Sequence, residues 1–222
     1  MVRNDVRGNN GDKKIRVILV DEREVMREGL HHMLGRDEDI AVVGEAASGP
    51  ELLEVVARTP CNVILLDIAL PGPDGLEVLK DLAYRGNRVP VLALSMYPEE
   101  HYALRAFRAG AAGYLTKNSP MPQLVEALRK VAGGGRYVSP AMAERLADEV
   151  SGGSKPGHEK LSDREYQVLM KLVSGQGIKE IAGDLKISPS TIGTHRARIL
   201  EKLGLQTRAE LIRYAMEHRL VE

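Results

Sequence analysis

The sequence predicts an α/β protein in which a doubly wound, five-stranded parallel sheet is followed by a small all-α domain. Two observations carry this. Up to about residue 132, apolar runs rich in Val, Ile and Leu alternate with segments of helical periodicity. That alternation marks strands buried on both faces and covered by crossover helices. From Leu161 onward no such run recurs, and every segment has helical spacing. A length of 222 residues accommodates two modest domains.

Residues 1–12 are rich in Asn, Gly and charge and read as a disordered terminus, so the first domain is placed at 13–132. Its strands are IRVILV (15–20), IAVVGEA (40–46), NVILLD (62–67), VPVLALS (89–95) and AGYLT (112–116). Between them EVMREGLHHML, GPELLEVVAR, DGLEVLKDLAYR and EEHYALRAFRAG repeat apolar residues every three or four positions, and MPQLVEALRKVAGG does so after the last strand. Gly133-Gly134-Gly135 is not followed by Lys-Ser/Thr, so it opens a linker rather than a phosphate loop. The linker, 133–160, holds a short helix, SPAMAERLADEV (139–150), and a Gly/Ser-containing tether, SGGSKPGHEK (151–160).

The second domain, 161–222, opens on a capping box of Ser162 and Glu165, which starts a helix ending near Gly175. IKEIAGDLK (178–186) is a short helix. Ser188-Pro189 then supplies a cap and a first-turn proline for PSTIGTHRARILEKL, which stops at Gly204. Thr207 and Glu210 cap the last helix in the same way. A short helix, a tight turn and a longer helix form a helix-turn-helix pattern.

Composition narrows the function classes. Lys+Arg and Asp+Glu both number 31, apolar residues make up 43%, and there is one cysteine, Cys61. These figures exclude disordered and disulfide-framework classes and suit a reducing compartment. The first fourteen residues contain no apolar signal region, and no stretch is apolar enough for a membrane helix, so a cytoplasmic protein with no membrane partner is expected. The absence of Trp and the single Phe argue against an RNA module built on stacked aromatics. Charge divides unevenly: residues 155–222 carry net +3 and the remainder net −3.

In an open parallel sheet, ligands sit beyond the carboxyl ends of the strands. Here those ends carry Asp21 and Glu22, then Asp67, Ser95 and Lys117. A flavodoxin-like strand order, 2-1-3-4-5, would gather Asp21, Glu22 and Asp67 into one pocket. Three close carboxylates repel one another unless a cation bridges them, and Mg²⁺ suits such a site because it keeps waters and takes further ligands from phosphate. Asp67 could then act as a nucleophile toward a phosphoryl group, with Lys117 and the Ser95 hydroxyl offsetting charge on the transferring oxygens. A flavin-phosphate or dinucleotide site fits worse, because the loop after the first strand reads Asp-Glu-Arg-Glu. Phosphatases with an aspartate nucleophile place a second Asp two residues on, where this chain has Ala69.

VILVDEREVMREGL, VILLDIALPGPDGLEVL, VLALSMYPEE and AGYLTKNS resemble successive receiver-domain motifs, and over residues 14–222 the chain resembles bacterial two-component response regulators of the NarL/FixJ type. The resemblance implies Asp67 as phospho-acceptor, Mg²⁺ held by Asp21, Glu22, Asp67 and the backbone carbonyl of Ala69, Ser95 as switch hydroxyl, Tyr114 as switch aromatic, and Lys117 as phosphate partner. Two departures stand out. Glu22 replaces the commoner Asp and would reach the metal through water. Asn118 replaces a common proline after the lysine, so a cis bond there would cost about 2.5–4 kcal/mol.

On the 189–203 helix, Ile192, Ile199 and Leu203 are expected to face inward against Ile181 and Leu185. Ser190, Thr191, Thr194, His195, Arg196, Arg198 and Lys202 then point elsewhere, which suits a helix in a major groove. The whole block LSDREYQVLMKLVSGQGIKEIAGDLKISPSTIGTHRARILEKLGL resembles the LuxR-type DNA-binding domain. That resemblance makes 189–203 the recognition helix and 178–186 its scaffold, with Lys179 added to the DNA contacts. Gly193 stands where the family often has Lys or Glu, so base reading would fall to Thr194, Arg196 or Ala197.

The expected function is a phosphorylation-dependent transcription regulator, not an enzyme beyond slow self-dephosphorylation. Its partners would be a sensor histidine kinase, double-stranded DNA and a second copy of the chain. A constitutive DNA binder, a phosphate-handling enzyme with a helical module and a protein-binding adaptor are the rival readings.

Overall fold

A computed structural model describes residues 14–70, 73–150 and 157–221. The expected terminus at 1–12 and the tether at 151–156 lie outside the described residues. The first domain runs β1 (Ile15–Val20), α1 (Glu24–Leu34), β2 (Ile40–Ala46), α2 (Gly49–Arg58), β3 (Val63–Asp67), α3 (Gly75–Tyr84), β4 (Val91–Ser95), α4 (Glu99–Arg108), β5 (Gly113–Thr116) and α5 (Met121–Ala132). Then follow α6 (Pro140–Val150), a 3-10 turn (Gly157–Lys160), α7 (Asp163–Val173), α8 (Ile178–Asp184), α9 (Pro189–Leu203) and α10 (Arg208–Glu217).

The sheet has the order β2-β1-β3-β4-β5, with every pairing parallel. Period-two alternation along the strands sorts their side chains onto two faces. Val17, Leu19, Val63, Leu65, Leu92 and Leu94 pack with α1 and α5 residues such as Leu30, Leu34, Leu124 and Leu128. Ile18, Val20, Ile64, Leu66, Val91 and Ala93 pack with α2, α3 and α4 residues. This second core does not stop at the domain boundary. It continues through Tyr102 to Leu161, Tyr166 and Leu169, and on to Ile181, Ile192 and Ile199 of the helical domain.

Three strands begin one or two residues later than the apolar runs suggest, for local reasons. Asn62 precedes β3 and exchanges hydrogen bonds with Arg16 through its backbone N–H and its Oδ1. Pro90 has no N–H to give, although its carbonyl accepts from Ile64. The short helix expected at 178–186 ends at Asp184, because Lys186 turns left-handed at φ 52. The last four tether residues form the 3-10 turn, where the His158 N–H donates to the Tyr214 hydroxyl. Both expected capping boxes of the helical domain are present, at Ser162–Glu165 and Thr207–Glu210.

The entry to α3 sits hard against the end of β3. A Cβ on Gly75 would lie 2.5 Å from the Asp67 carbonyl oxygen and 2.6 Å from the Ile68 Cα. Both are backbone atoms and cannot swing away, so Gly75→Ala is expected to destabilise the fold by about 1–3 kcal/mol or more. Gly29, inside α1, has open space around its missing Cβ, so Gly29→Ala should instead stabilise by about 0.5–1 kcal/mol. Urea denaturation of both variants tests the contrast, and a wild-type midpoint for Gly75→Ala contradicts it.

Asp74 caps α3, its Oδ1 accepting from the Glu77 N–H at 2.9 Å, and it is buried. Burial pushes its carboxyl up to about 6, against the lowering effect of that amide. The folded state therefore holds this proton more tightly than the unfolded chain, and the stability tied to it falls as pH rises from about 4 to 6. Asp74→Asn keeps an acceptor for the cap and removes the buried charge. Denaturation at pH 7.5 should find it about 2 kcal/mol more stable than wild type, with about a third of that gain left at pH 4.5. A pH-independent difference would place the effect elsewhere.

Candidate functional site

Because β1 and β3 are neighbours, Asp21 and Asp67 come side by side beyond the strand ends. One ammonium joins them: Lys117 Nζ donates to Asp21 Oδ2 at 2.5 Å and to Asp67 Oδ2 at 2.7 Å. All three side chains are buried, at 2–6% exposure. The second oxygen of each carboxylate is fixed by the backbone two residues on. Asp21 Oδ1 accepts from the Arg23 N–H and Asp67 Oδ1 from the Ala69 N–H, both at 2.9 Å. Burial pushes the Asp67 carboxyl up, and the charge and hydrogen bond of Lys117 oppose that shift. No peptide bond among the described residues is cis, so Lys117–Asn118 is trans.

Ser95 and Tyr114 hold one residue between them. The fully buried Ser95 accepts from the Tyr97 N–H at 3.1 Å through its Oγ, and the Tyr114 hydroxyl donates to the Tyr97 carbonyl at 2.8 Å. Tyr97 in turn stacks on Tyr102, with ring centroids 4.4 Å apart. Tyr102 meets the edge of Tyr166 in α7 at 5.2 Å. Sequence reasoning did not single out Tyr97, Tyr102 or Tyr166, because nothing in their local spacing distinguishes them from core aromatics.

Glu22 does not join the other two carboxylates. Its Oε1 accepts from Lys186 Nζ at 2.5 Å, across the domain boundary. Among the described residues no group of three or more His, Cys, Asp or Glu is arranged to hold a metal. What the strand ends offer instead is two adjoining carboxylates, with Ala69 and Glu22 lining the same cavity. That all-oxygen set fits Mg²⁺, which binds through one or two carboxylates and keeps several waters.

The cavity encloses about 580 Å³, and the helical domain forms its other wall with Lys171, Asp184 and Lys186. A polar seam secures this docking. Arg105 of α4, itself buried, donates to the carbonyls of Leu161 and His158 at 2.9 and 2.8 Å and to Asp163 Oδ1 at 3.0 Å. Its guanidinium also lies 4.1 Å from the centre of the Tyr166 ring. Lys80 pairs with Asp163 and Arg108 with Glu159 alongside.

In the helical domain, Ile192 and Ile199 are fully buried and Leu203 partly so, against Ile181 and Leu185. Ser190, Thr191, Thr194, Arg196 and Arg198 of α9 are exposed, as is Lys179 of α8. Lys202 is exposed as well, though it is engaged within its own domain. Lys202 donates to the buried Glu165 at 2.6 Å. His195 is partly buried, with its Nδ1 enclosed and without a hydrogen-bond partner. Burial lowers its pKa, and nearby Arg164 adds to that effect.

Comparison with known proteins follows the same division. A family model for the response regulator receiver domain matches residues 17–129, and one for bacterial regulatory proteins of the luxR family matches residues 159–215. The chain is 36% identical over 211 residues to the response regulator GacA of Pseudomonas viridiflava, covering 94% of this chain and 98% of the relative. It is 37% identical over 216 residues to the probable transcriptional regulatory protein NarL of Mycobacterium tuberculosis, covering 96% and 99%. Among solved structures, the response regulator ChrA of a heme-sensing two-component system matches with a TM-score of 0.51 at 36% identity, covering 94% of this chain and 99% of that one. RcsB of Salmonella enterica bound to a promoter matches in fold with a TM-score of 0.61 at 24% identity, covering 90% and 98%. Since the relatives span both domains almost end to end, the chain belongs to the two-component response regulators that join a receiver domain to a LuxR-type DNA-binding domain, and it regulates transcription.

Proposed function

We propose that Asp67 accepts a phosphoryl group from a sensor histidine kinase and that the modified receiver controls promoter binding through α9. The observation that carries this reading is the single buried ammonium shared by Asp21 and Asp67. Oδ1 of Asp67 is tied to the Ala69 amide and Oδ2 to Lys117, and Oδ2 attacks phosphorus as the ammonium shifts from it toward the transferred oxygens. As the O–P bond forms, the bond from phosphorus to the donor histidine breaks, and the histidine nitrogen keeps the electron pair. Lys117 stays beside the transferred oxygens and offsets their charge. Mg²⁺, when held by Asp21, Asp67, the Ala69 carbonyl and, through water, Glu22, would add a second positive charge on those oxygens.

Ser95 would then turn its hydroxyl to a phosphoryl oxygen and give up the Tyr97 N–H. Tyr97 is gripped by Ser95 and Tyr114 and stacked on Tyr102, so its release reaches Tyr166 and the docked domain. The exposed Ser190, Thr191, Thr194, Arg196 and Arg198 meet DNA, with Lys179 on phosphate. The exposed Lys202 is a further DNA contact, and the partly buried His195 supports α9. The chain works as a homodimer on paired half-sites in the cytoplasm. In this reading it is not an enzyme, since each chain takes one phosphoryl group and hydrolyses it only slowly. Among the described residues no helix is long and apolar enough to cross a membrane.

With acetyl phosphate and Mg²⁺, wild type should run as a retarded band on a phosphate-affinity gel, and Asp67→Asn should show none. Labelling that persists in the variant moves the acceptor elsewhere, and a wild type that never labels favours a constitutive DNA binder. Arg196→Ala should weaken promoter binding and reduce the slope of log affinity against log salt by about one. An unchanged slope removes Arg196 from the phosphate contacts.

A further inference from the structure

The three carboxylates at the strand ends are neutralised from two directions. Asp21 and Asp67 share Lys117, which belongs to their own domain. Glu22 is met instead by Lys186, a residue 164 positions away in the turn between α8 and α9. The backbone of Lys186 is left-handed, at φ 52, a conformation in which Gly or Asn is the easier residue. The helical domain thus presents a long cation at a position whose backbone favours a small residue, and that cation reaches into the cavity holding Asp67 and Lys117.

We propose that Lys186 is a latch that competes with a divalent cation for Glu22, so that metal loading of the receiver pocket and docking of the DNA-binding domain over it oppose each other. This rests on the reading of that pocket as a magnesium site. The ammonium sits at hydrogen-bond distance from Glu22 Oε1, so the water shell of a magnesium ion cannot occupy the same place. The two cations also repel. Since Lys186 arrives only with the docked domain, whatever holds the domains together weakens the metal, and the metal weakens the docking by the same factor. The ion pair is partly solvent-exposed, which limits its weight to a few-fold in an equilibrium constant.

Magnesium affinity of the full chain, titrated by NMR at the Arg23 and Ala69 amides, tests this with three substitutions. Lys186→Asn, which suits the left-handed backbone, should bind magnesium about two- to fivefold more tightly than wild type, and Lys186→Gly should do the same. Arg105→Ala removes the seam's central side chain without touching the pocket and should also tighten binding. Lys171→Gln removes a lysine that lines the same cavity but pairs with Asp184, and it should leave the affinity near wild type. If the Lys186 and Lys171 substitutions tighten binding alike while Arg105→Ala does nothing, the effect is the local field and the latch is overturned. Unchanged affinity in the Lys186 variants overturns it as well. If magnesium moves neither amide in any of the proteins, the metal reading itself fails, separately from the latch.

Discussion

Everything at the strand ends depends on one buried ammonium between two buried carboxylates. Removing three charges from water is costly, and such clusters often contribute little to stability against an apolar alternative. Lys117, Asp21 and Asp67 are therefore better understood as a site the fold supports than as a clamp that supports the fold. The supporting work is done on the two faces of the sheet, where alternate strand residues fill separate cores. With β1 and β3 adjacent and their neighbouring turns fixed by the Arg23 and Ala69 amides, the two carboxylates cannot drift apart to relieve their repulsion. They need a cation between them. In the proposed function, that need would make the pocket sensitive to a metal ion and to an added phosphoryl charge.

The route from this pocket to the helical domain is short because one residue, Tyr97, is held by both Ser95 and Tyr114. Ser95 holds the N–H of Tyr97, and Tyr114 holds its carbonyl. A change in either grip is passed to Tyr102 by ring stacking and to Tyr166 by an edge contact. Arg105 lies over the same Tyr166 ring and binds the chain leading into α7. Coupling of this kind needs an element with two discrete arrangements. The apolar core running unbroken from α4 into α7 supplies packed surfaces that either fit or separate.

Much of this was legible in the residues themselves. Val/Ile/Leu runs marked five strands of a parallel sheet, and the flavodoxin-like order expected for such a sheet is the one observed, which brings Asp21 and Asp67 together. Ser162–Glu165 and Thr207–Glu210 announced two helix starts through chemistry confined to four residues. The illegible parts are those set by contact between distant segments. Glu22 reads as a metal ligand from its place after β1, and only its encounter with Lys186 redirects it. Nothing in the helical spacing of EEHYALRAFRAG singles out Arg105, whose burial comes with its contacts to the docked domain. The 3-10 turn at Gly157–Lys160 lies in a stretch whose composition suggests a free tether, and its hydrogen bond to Tyr214 spans 56 positions.

The exposed face of α9 limits how docking can control DNA binding. Ser190, Thr194, Arg196 and Arg198 remain open while α7 and α8 lie against the receiver, so the docked state does not work by covering the side chains that would read bases. In the proposed dimer it would instead constrain where α9 can stand relative to the second copy. Paired half-sites require two such helices about 34 Å apart on one face of the duplex, and a domain held by Arg105, Lys80 and Lys186 cannot adjust to that spacing independently of its receiver. In the proposed dimer, the effect of phosphorylation would thus appear first in the binding of paired sites, with a single half-site nearly indifferent to it.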